Sequence, residues 1–168
     1  MYELGDYIVY GNNGVCQVIE IGALGIQGID KEKEYYTLQP VYEKGSILYT
    51  PVDNDKVVMR RVTSEEAARD LIDDIPNIPM FKVENDKLRE EKFKESMKKY
   101  DCREWVRMIK TLTYRKKERL SQGRKTTSSD DRYMRIAEEC LYGELSIALG
   151  IPKDKVESFI QPEDNDQI

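Results

Sequence analysis

The hydrophobic pattern of the chain changes its period near residue 63, and this change limits the possible folds more than any other feature. Before it, apolar and aromatic residues come in five short runs separated by turn-forming residues, which is typical of half-buried strands. After it, apolar residues recur at every third or fourth position, which is typical of amphipathic helices. The runs predict strands at 7–10, 15–21, 35–42, 46–52 and 57–62.

Five strands within about 60 residues predict a small, strongly bent antiparallel sheet, or a barrel of the SH3 or Tudor kind, because such folds leave few exposed edges. Asn13-Gly14 marks a hairpin between the first two strands, since both residues adopt positive φ at low cost. Later in the chain, Pro76 and Pro79 stop a short helix that begins after Ser64. Further helices are predicted at 86–99, 101–120, 129–149 and 152–160.

The expected fold class is therefore α+β, with an N-terminal SH3/Tudor-like antiparallel β-barrel followed by an all-helical domain. The expected division of the chain is a β domain at 1–62, a short helix and proline-rich linker at 63–83, a helical domain at 84–160 and a frayed tail at 161–168.

Composition excludes several classes of function. The chain has no histidine, which excludes Ser-His-Asp and Cys-His catalysis and His-ligated zinc. Its three cysteines, Cys16, Cys102 and Cys140, are too far apart to indicate a zinc site or a disulfide framework. There is no glycine-rich phosphate loop, so we expect no enzyme, no cofactor and no metal. The sequence shows neither a signal peptide nor a membrane span, and we expect a soluble, cytoplasmic protein.

Positive charge is concentrated in one stretch of a net acidic chain. The formal net charge is -5, yet residues 101–125 hold nine basic and three acidic residues. On a helix that begins at Asp101, a cationic face lies opposite an apolar face that contains Trp105, which we therefore assign to the core. The candidate nucleic-acid contacts are this face and its continuation, namely Arg103, Arg107, Lys110, Tyr114, Arg115, Lys116, Lys117, Arg119, Arg124 and Lys125.

Two interpretations remain open for each of two features. The basic stretch is either a surface for phosphate groups or a solvated face with intrahelical ion pairs. The strand at 46–52 is either a docking edge for a partner's strand or an ordinary barrel strand that curls into its neighbours.

Motifs in both halves resemble those of the CarD/CdnL family of bacterial transcription regulators over nearly the whole chain. They read GDYIVYGxxGV at 5–15, YxL at 36–38, LYxPV at 48–52, LxYRxKxRLSxG at 112–123 and AExxLxGEL at 137–145. The front half also resembles the polymerase-interacting domain of the transcription-repair coupling factor, although the rest of the chain lacks helicase motifs.

This resemblance implies a transcription regulator whose β domain adds an edge strand to the RNA polymerase β subunit. Its helical domain would lie on promoter DNA at the upstream edge of the melted bubble and stabilise open complexes, including those at ribosomal RNA promoters. The implied polymerase contacts are Leu24, Leu48, Tyr49, Thr50 and Pro51, and the implied DNA contacts are Arg115, Lys116, Lys117, Arg119, Arg124 and Lys125.

The family pattern also has a tryptophan that wedges into the minor groove. In this chain the corresponding position falls close to Asp86, and the nearest apolar candidates are Phe81 and Val83. We expect a monomer that contacts DNA phosphates without reading sequence. The alternative is a standalone Tudor-like module that binds a peptide or RNA, with the helices as a scaffold; Tyr2, Tyr10, Tyr35 and Tyr42 could then supply an aromatic cage.

Overall fold

The structure, a computed structural model, describes residues 1–82 and 85–160. The chain divides into two compact units, Met1–Thr63 and Ser64–Ile168. The first holds an antiparallel sheet and the second is helical. The predicted α+β fold class, with its β part before its helical part, is confirmed.

The N-terminal unit is built on five antiparallel strands whose order in the sheet is β4-β3-β2-β1-β5. A register shift between Val18 and Glu20 marks a bulge in the long second strand, and a bulge bends a strand and increases its twist. The bend lets one face of the sheet enclose a small core formed by Ile8, Cys16, Val18, Tyr36 and Leu38. The strands are β1 Tyr7–Tyr10, β2 Val15–Ala23, β3 Glu34–Pro40, β4 Leu48–Pro51 and β5 Met59–Arg61.

The connection between β1 and β2 is a 3-10 turn at Gly11–Asn13, followed by Gly14 at positive φ. Gly11 also has a positive φ of 46°, and an added Cβ would lie 2.7 Å from Val57 Cγ1. The hairpin predicted from Asn13-Gly14 is present, and its turn also needs glycine at position 11, because a side chain there would clash with Val57 Cγ1 at an unfavourable positive φ.

Five helices make up the described part of the second unit, and each begins within two residues of its predicted start. Side-chain oxygens cap the first four: Ser64 accepts from the Ala67 N–H, Asn85 from that of Leu88, Asp101 from that of Arg103 and Thr127 from that of Asp130. Such caps satisfy backbone donors that have no partner inside the helix. The helices are α1 Glu65–Asp74, α2 Asp86–Met97, α3 Cys102–Ser121, α4 Ser128–Leu149 and α5 Lys153–Ile160.

The core of the helical unit lies between α3 and α4, with α2 packed on one side. Trp105 is 1% exposed and belongs to the same cluster as Leu112, Leu141 and Leu145. Phe93 of α2 joins this cluster and its ring lies 5.4 Å from that of Tyr133. The assignment of the single tryptophan to the core is confirmed.

The segment at 63–83, predicted as a short helix and linker between two domains, packs into the helical unit as far as it is described. Ala68, Leu71 and Ile78 are buried in the same core as Trp105. The prolines do end α1, but they leave Ile78 on the core side, where burial of its side chain outweighs the cost of ordering the turn. The predicted tail at 161–168 lies outside the described residues.

Removing the tryptophan tests the helical core. We expect Trp105→Ala to lower the free energy of unfolding by about 3–5 kcal/mol, because truncation of a buried aromatic side chain loses its burial and leaves a cavity. Urea denaturation followed by circular dichroism measures this change. The control is Tyr114→Ala on the same helix, where the side chain is 57% exposed and the expected change is below about 1 kcal/mol. Equal stabilities of the two variants would place Trp105 outside the core.

Candidate protein-docking edge and nucleic-acid interface

Within the described residues, β4 is an edge strand of the sheet because it pairs only with β3. Every second backbone N–H and C=O of such a strand points away from the sheet and can pair with another strand. Leu48 packs against the sheet core and Thr50 is 1% exposed, so these two side chains face inward. Tyr49, which is 48% exposed, has its side chain on the opposite face. Tyr49 and Pro51 are therefore the side chains that the strand offers to a partner.

Leu24 lies at the end of the sheet where β4 also ends. Ala23 pairs with Glu34 across the β2–β3 ladder, and the Glu34 carbonyl accepts from the Val52 N–H at 3.1 Å. Leu24 follows Ala23 directly and is half-buried. It lines an open depression of about 490 Å³ in the β2–β3 connection, together with Ala23, Gly25, Ile26, Gln27, Gly28 and Lys31.

Three cations of the predicted DNA face have partners within the protein. Arg103 pairs with Asp74 at 2.6 Å, and the pKa of this carboxyl is lowered, mainly by that hydrogen bond. Lys110 Nζ donates to the carbonyls of Ile75 and Ile78 at 2.7 and 2.6 Å. Arg103 and Lys110 therefore hold the turn after α1 against α3.

Arg107 completes this set of internal cations. Its Nε donates to the Pro79 carbonyl at 3.2 Å, and its guanidinium lies 4.1 Å from the centre of the Phe81 ring. Arg103, Arg107 and Lys110, which the sequence assigns to a DNA surface, thus each have a partner within the protein, although the Arg103 side chain remains 54% exposed. The helical pattern correctly places them on one face of α3, but it does not reveal that the segment at 74–81 supplies their partners.

Phe81, one of the two wedge candidates, is held in place on several sides. Its N–H donates to Thr111 Oγ1 at 2.9 Å, its ring meets that of Phe93 edge-on at 5.7 Å, and Arg107 covers one ring face. To insert between two base pairs, the Phe81 ring would have to leave its contacts with Phe93 and Arg107. Val83, the other candidate, lies outside the described residues.

A buried ionic cluster joins α2, α3 and α4. Asp130 lies 3.0 Å from Arg115 Nε and 3.6 Å from Arg89 Nη2, and the side chains of Asp130 and Arg89 are only 9% and 8% exposed. Arg89 also pairs with Asp86 at 2.8 Å. The pKa of Asp86 is lowered first by its hydrogen bond with Arg89, and the charges of Arg115 and Arg119 lower it further. Arg115 is therefore part of the internal framework.

Sequence reasoning missed the role of Asp130, although a signal was present. Asp130, Tyr133, Ala137 and Leu141 follow one another at spacings of three and four residues. This is the spacing of the buried face of α4, and a carboxylate on such a face needs a buried cation. Arg89 and Arg115 supply it.

The remaining basic residues form what we call the basic tip, namely Lys116, Lys117, Arg119, Arg124 and Lys125 at the end of α3 and in the loop to α4. The loop is ordered by Gly123 at a φ of 72° and by bonds from the Arg124 N–H to the Arg119 carbonyl and from Arg119 Nε to the Lys125 carbonyl, both 2.8 Å. This backbone pattern is the glycine-terminated end that many helices adopt.

Charge at the basic tip is largely uncompensated. Within the described part of the chain, Lys117, Arg124 and Lys125 are exposed and make no ion pair. Lys116 is also exposed, and its charge acts on Glu138 of α4, whose pKa is raised mainly by burial. Tyr114 and Leu120, 57% and 55% exposed, lie on the same end of α3. Exposed cations without an ion pair in the described residues suit a phosphate backbone.

Comparison with known proteins identifies the first unit. Residues 2–63 match the family model of the CarD-like/TRCF RID domain, an RNA polymerase-interacting domain. The resemblance to the CarD/CdnL family is thus confirmed for this unit, and it indicates RNA polymerase as a partner. No curated protein matches the chain.

Two features of the described residues bear on other functions. No helix there has the length and apolar character needed to span a membrane. No group of three or more cysteine, aspartate or glutamate side chains lies close enough together there to hold a metal ion.

Neutralising the buried carboxylate tests the ionic cluster. We expect Asp130→Asn to lower the free energy of unfolding by about 3–5 kcal/mol, because Arg89 would keep a buried charge without its partner on α4. Thermal and urea unfolding measure the loss. The control is Glu139→Gln on the exposed side of α4, with an expected change below about 0.5 kcal/mol. A fully stable Asp130→Asn variant would show that the cluster contributes nothing to the packing of the three helices.

Proposed function

We propose that this protein, whose first unit belongs to the CarD-like/TRCF RID domain family, regulates transcription by binding RNA polymerase and promoter DNA together. The match of residues 2–63 to a polymerase-interacting domain carries the first half of the proposal. The uncompensated charge of the basic tip supports the second half. The proposed role is binding without catalysis, and we expect the protein in the cytoplasm together with polymerase.

The polymerase contact is assigned to the outer edge of β4. A strand of the polymerase β subunit would pair with the outward backbone groups of Leu48–Pro51, while Tyr49 and Pro51 supply side-chain contacts. Main-chain pairing gives affinity with little dependence on sequence, and an exposed tyrosine is a common source of binding energy. Leu24, at the same end of the sheet, would extend the contact.

The DNA contact is assigned to the basic tip. Its lysines and arginines would lie along phosphates, and no residue there is placed to read bases. Since Arg103, Arg107, Lys110 and Arg115 have internal partners, the number of phosphates contacted is small, about three or four. Binding to free duplex is then expected to be micromolar or weaker.

Weak DNA binding is sufficient when polymerase holds the protein beside the promoter, because tethering supplies a high local concentration. The protein would stabilise open complexes, including those at ribosomal RNA promoters, only to the extent that it binds open promoter better than closed promoter. With Phe81 packed beneath Arg107, that preference would arise from backbone shape at the edge of the bubble.

The alternative, a standalone Tudor-like reader of peptides or RNA, receives less support. Tyr2 and Tyr10 pack against the sheet core, and the Tyr2 ring meets that of Tyr36 at 5.7 Å. Two of the four tyrosines available for an aromatic cage are thus engaged with the core of their own sheet.

A charge placed on the docking edge tests the polymerase contact. We expect Tyr49→Arg to weaken binding to core RNA polymerase at least about 10-fold, because it removes an aromatic contact from the centre of the interface. Leu48→Glu is a poorer test, since Leu48 faces the sheet core. Surface plasmon resonance on immobilised polymerase measures the affinity.

The matched control is Tyr7→Arg, the same substitution at a partly exposed tyrosine of β1, three strands from β4. It should bind polymerase as the unmodified chain does. Equal weakening by both variants, with both folded, would move the contact away from β4.

Removing charge from the basic tip tests the DNA contact. We expect replacement of Lys117, Arg124 and Lys125 by alanine to reduce the salt dependence of duplex binding by about 2.7 powers of salt concentration, at about 0.9 per phosphate contact. Fluorescence anisotropy with a 30-base-pair duplex over a series of KCl concentrations measures the slope.

The control removes the same net charge elsewhere, by replacing exposed Lys44, Lys98 and Lys155 with alanine. The salt dependence of duplex binding by this control should equal that of the unmodified chain. If both triple variants lose the same slope, the basic tip has no special role and only net charge matters.

A further inference from the structure

Four consecutive hydroxyl side chains, Thr126, Thr127, Ser128 and Ser129, follow the last two cations of the basic tip. The structure separates them by their partners. Thr126 Oγ1 donates to Asp131 at 3.1 Å, and Thr127 Oγ1 accepts from the Asp130 N–H at 3.1 Å. Ser129 is half-buried, whereas Ser128 is exposed. Among the described residues, the Ser128 hydroxyl makes no hydrogen bond.

The residues around Ser128 resemble those around the acceptor serine in substrates of kinases that select basic residues. Lys125 and Arg124 lie three and four residues before it and are exposed, and residues 124–127 have no regular secondary structure. Protein kinases select substrates largely by charge patterns beside the acceptor. Asp130, one of the acids that follow, is neutralised by Arg115 and Arg89, so it opposes a negatively charged kinase pocket only weakly.

We propose that Ser128 is a phosphorylation site through which DNA binding by the basic tip is switched off; this regulation rests on the function proposed above. The Ser128 hydroxyl oxygen forms a bond to the γ-phosphorus of ATP, the bond from that phosphorus to the bridging oxygen of ADP breaks, and the hydroxyl proton is released. A serine/threonine kinase with an acidic substrate pocket supplies the catalysis.

The phosphate acts through charge. It adds about -1.5 to -2 at neutral pH and three strong acceptor oxygens. Arg124 and Lys125, close in the chain and without other ion pairs in the described residues, are the cations that it would bind. The basic tip then loses two of its phosphate contacts. The slope of the logarithm of the DNA-binding constant against the logarithm of salt concentration falls by about 1.8, and DNA binding at 0.15 M salt becomes about 30-fold weaker.

The first experiment locates the acceptor. The full chain is incubated with ATP and the catalytic subunit of cyclic-AMP-dependent protein kinase, a basic-directed enzyme, and the phosphate is mapped by mass spectrometry. We expect phosphate on Ser128, and at least 10-fold less incorporation in Ser128→Ala and in the Arg124→Ala/Lys125→Ala variant. Phosphate on Thr126, Thr127 or Ser129 instead, or none at all, would overturn the assignment.

The second experiment measures the consequence with phosphoserine installed at position 128 during translation. We expect about 30-fold weaker binding to a 30-base-pair duplex at 0.15 M KCl and unchanged binding to core RNA polymerase. Ser128→Ala should bind DNA as the unmodified chain does.

Unchanged DNA affinity of the phosphorylated chain would overturn the switch. The two proposals fail separately: an unmodified chain that does not bind DNA refutes the proposed DNA contact and with it the switch, whereas normal binding that survives phosphorylation refutes the switch alone.

Discussion

The helical unit depends on ion pairs and hydrogen bonds that charged side chains of α3 make with other segments of the same unit. Asp130 of α4 lies between Arg89 of α2 and Arg115 of α3, and the three side chains join the three helices. Each charge is buried or half-buried and needs the others as partners. A buried pair of this kind contributes little net stability relative to apolar residues, but it is costly to break. The cluster therefore fixes the position of the α3–α4 hairpin and of the basic tip at its end.

The same principle divides the cationic face of α3 into two parts with different uses. Near its start, Arg103 and Lys110 bind the carboxylate and carbonyls of the turn after α1. Towards its end, where α3 extends past the core, Lys117 is exposed, and the exposed basic surface continues with Arg124 and Lys125 of the loop. A face that looks continuous in the sequence is thus structural in one half and open to a polyanion in the other.

Much of the fold could be predicted from the sequence because local patterns determine it. The alternation of apolar and polar residues, together with the turn glycines, predicted the five strands. Helical periodicity predicted the five helices of the described residues to within about two residues, which is the usual uncertainty of such boundaries. The sequence could not reveal which segments pack against each other in the tertiary structure. The turn containing Ile78 was predicted as a linker, and only its place in the core shows why three cations of α3 point towards it.

The candidate site was predictable to different degrees in its two parts. On β4, alternation separates inward Leu48 and Thr50 from outward Tyr49, but the edge position of the strand depends on pairing between distant segments. For the basic tip, composition identified Lys117, Arg124 and Lys125, whereas the internal role of Arg115 depends on Asp130, fifteen residues away on another helix. Long-range partners of charged side chains leave only faint signals in a single sequence.

We propose that a β unit bound to polymerase brings the basic tip onto promoter DNA. A photo-crosslinking amino acid at Gln122, an exposed position beside Gly123, tests it most directly in a reconstituted polymerase–promoter complex. We expect crosslinks to promoter DNA that require polymerase and disappear when Tyr49→Arg is added to the same chain. Crosslinks that persist without polymerase or with that substitution, or that form only to protein, would contradict it.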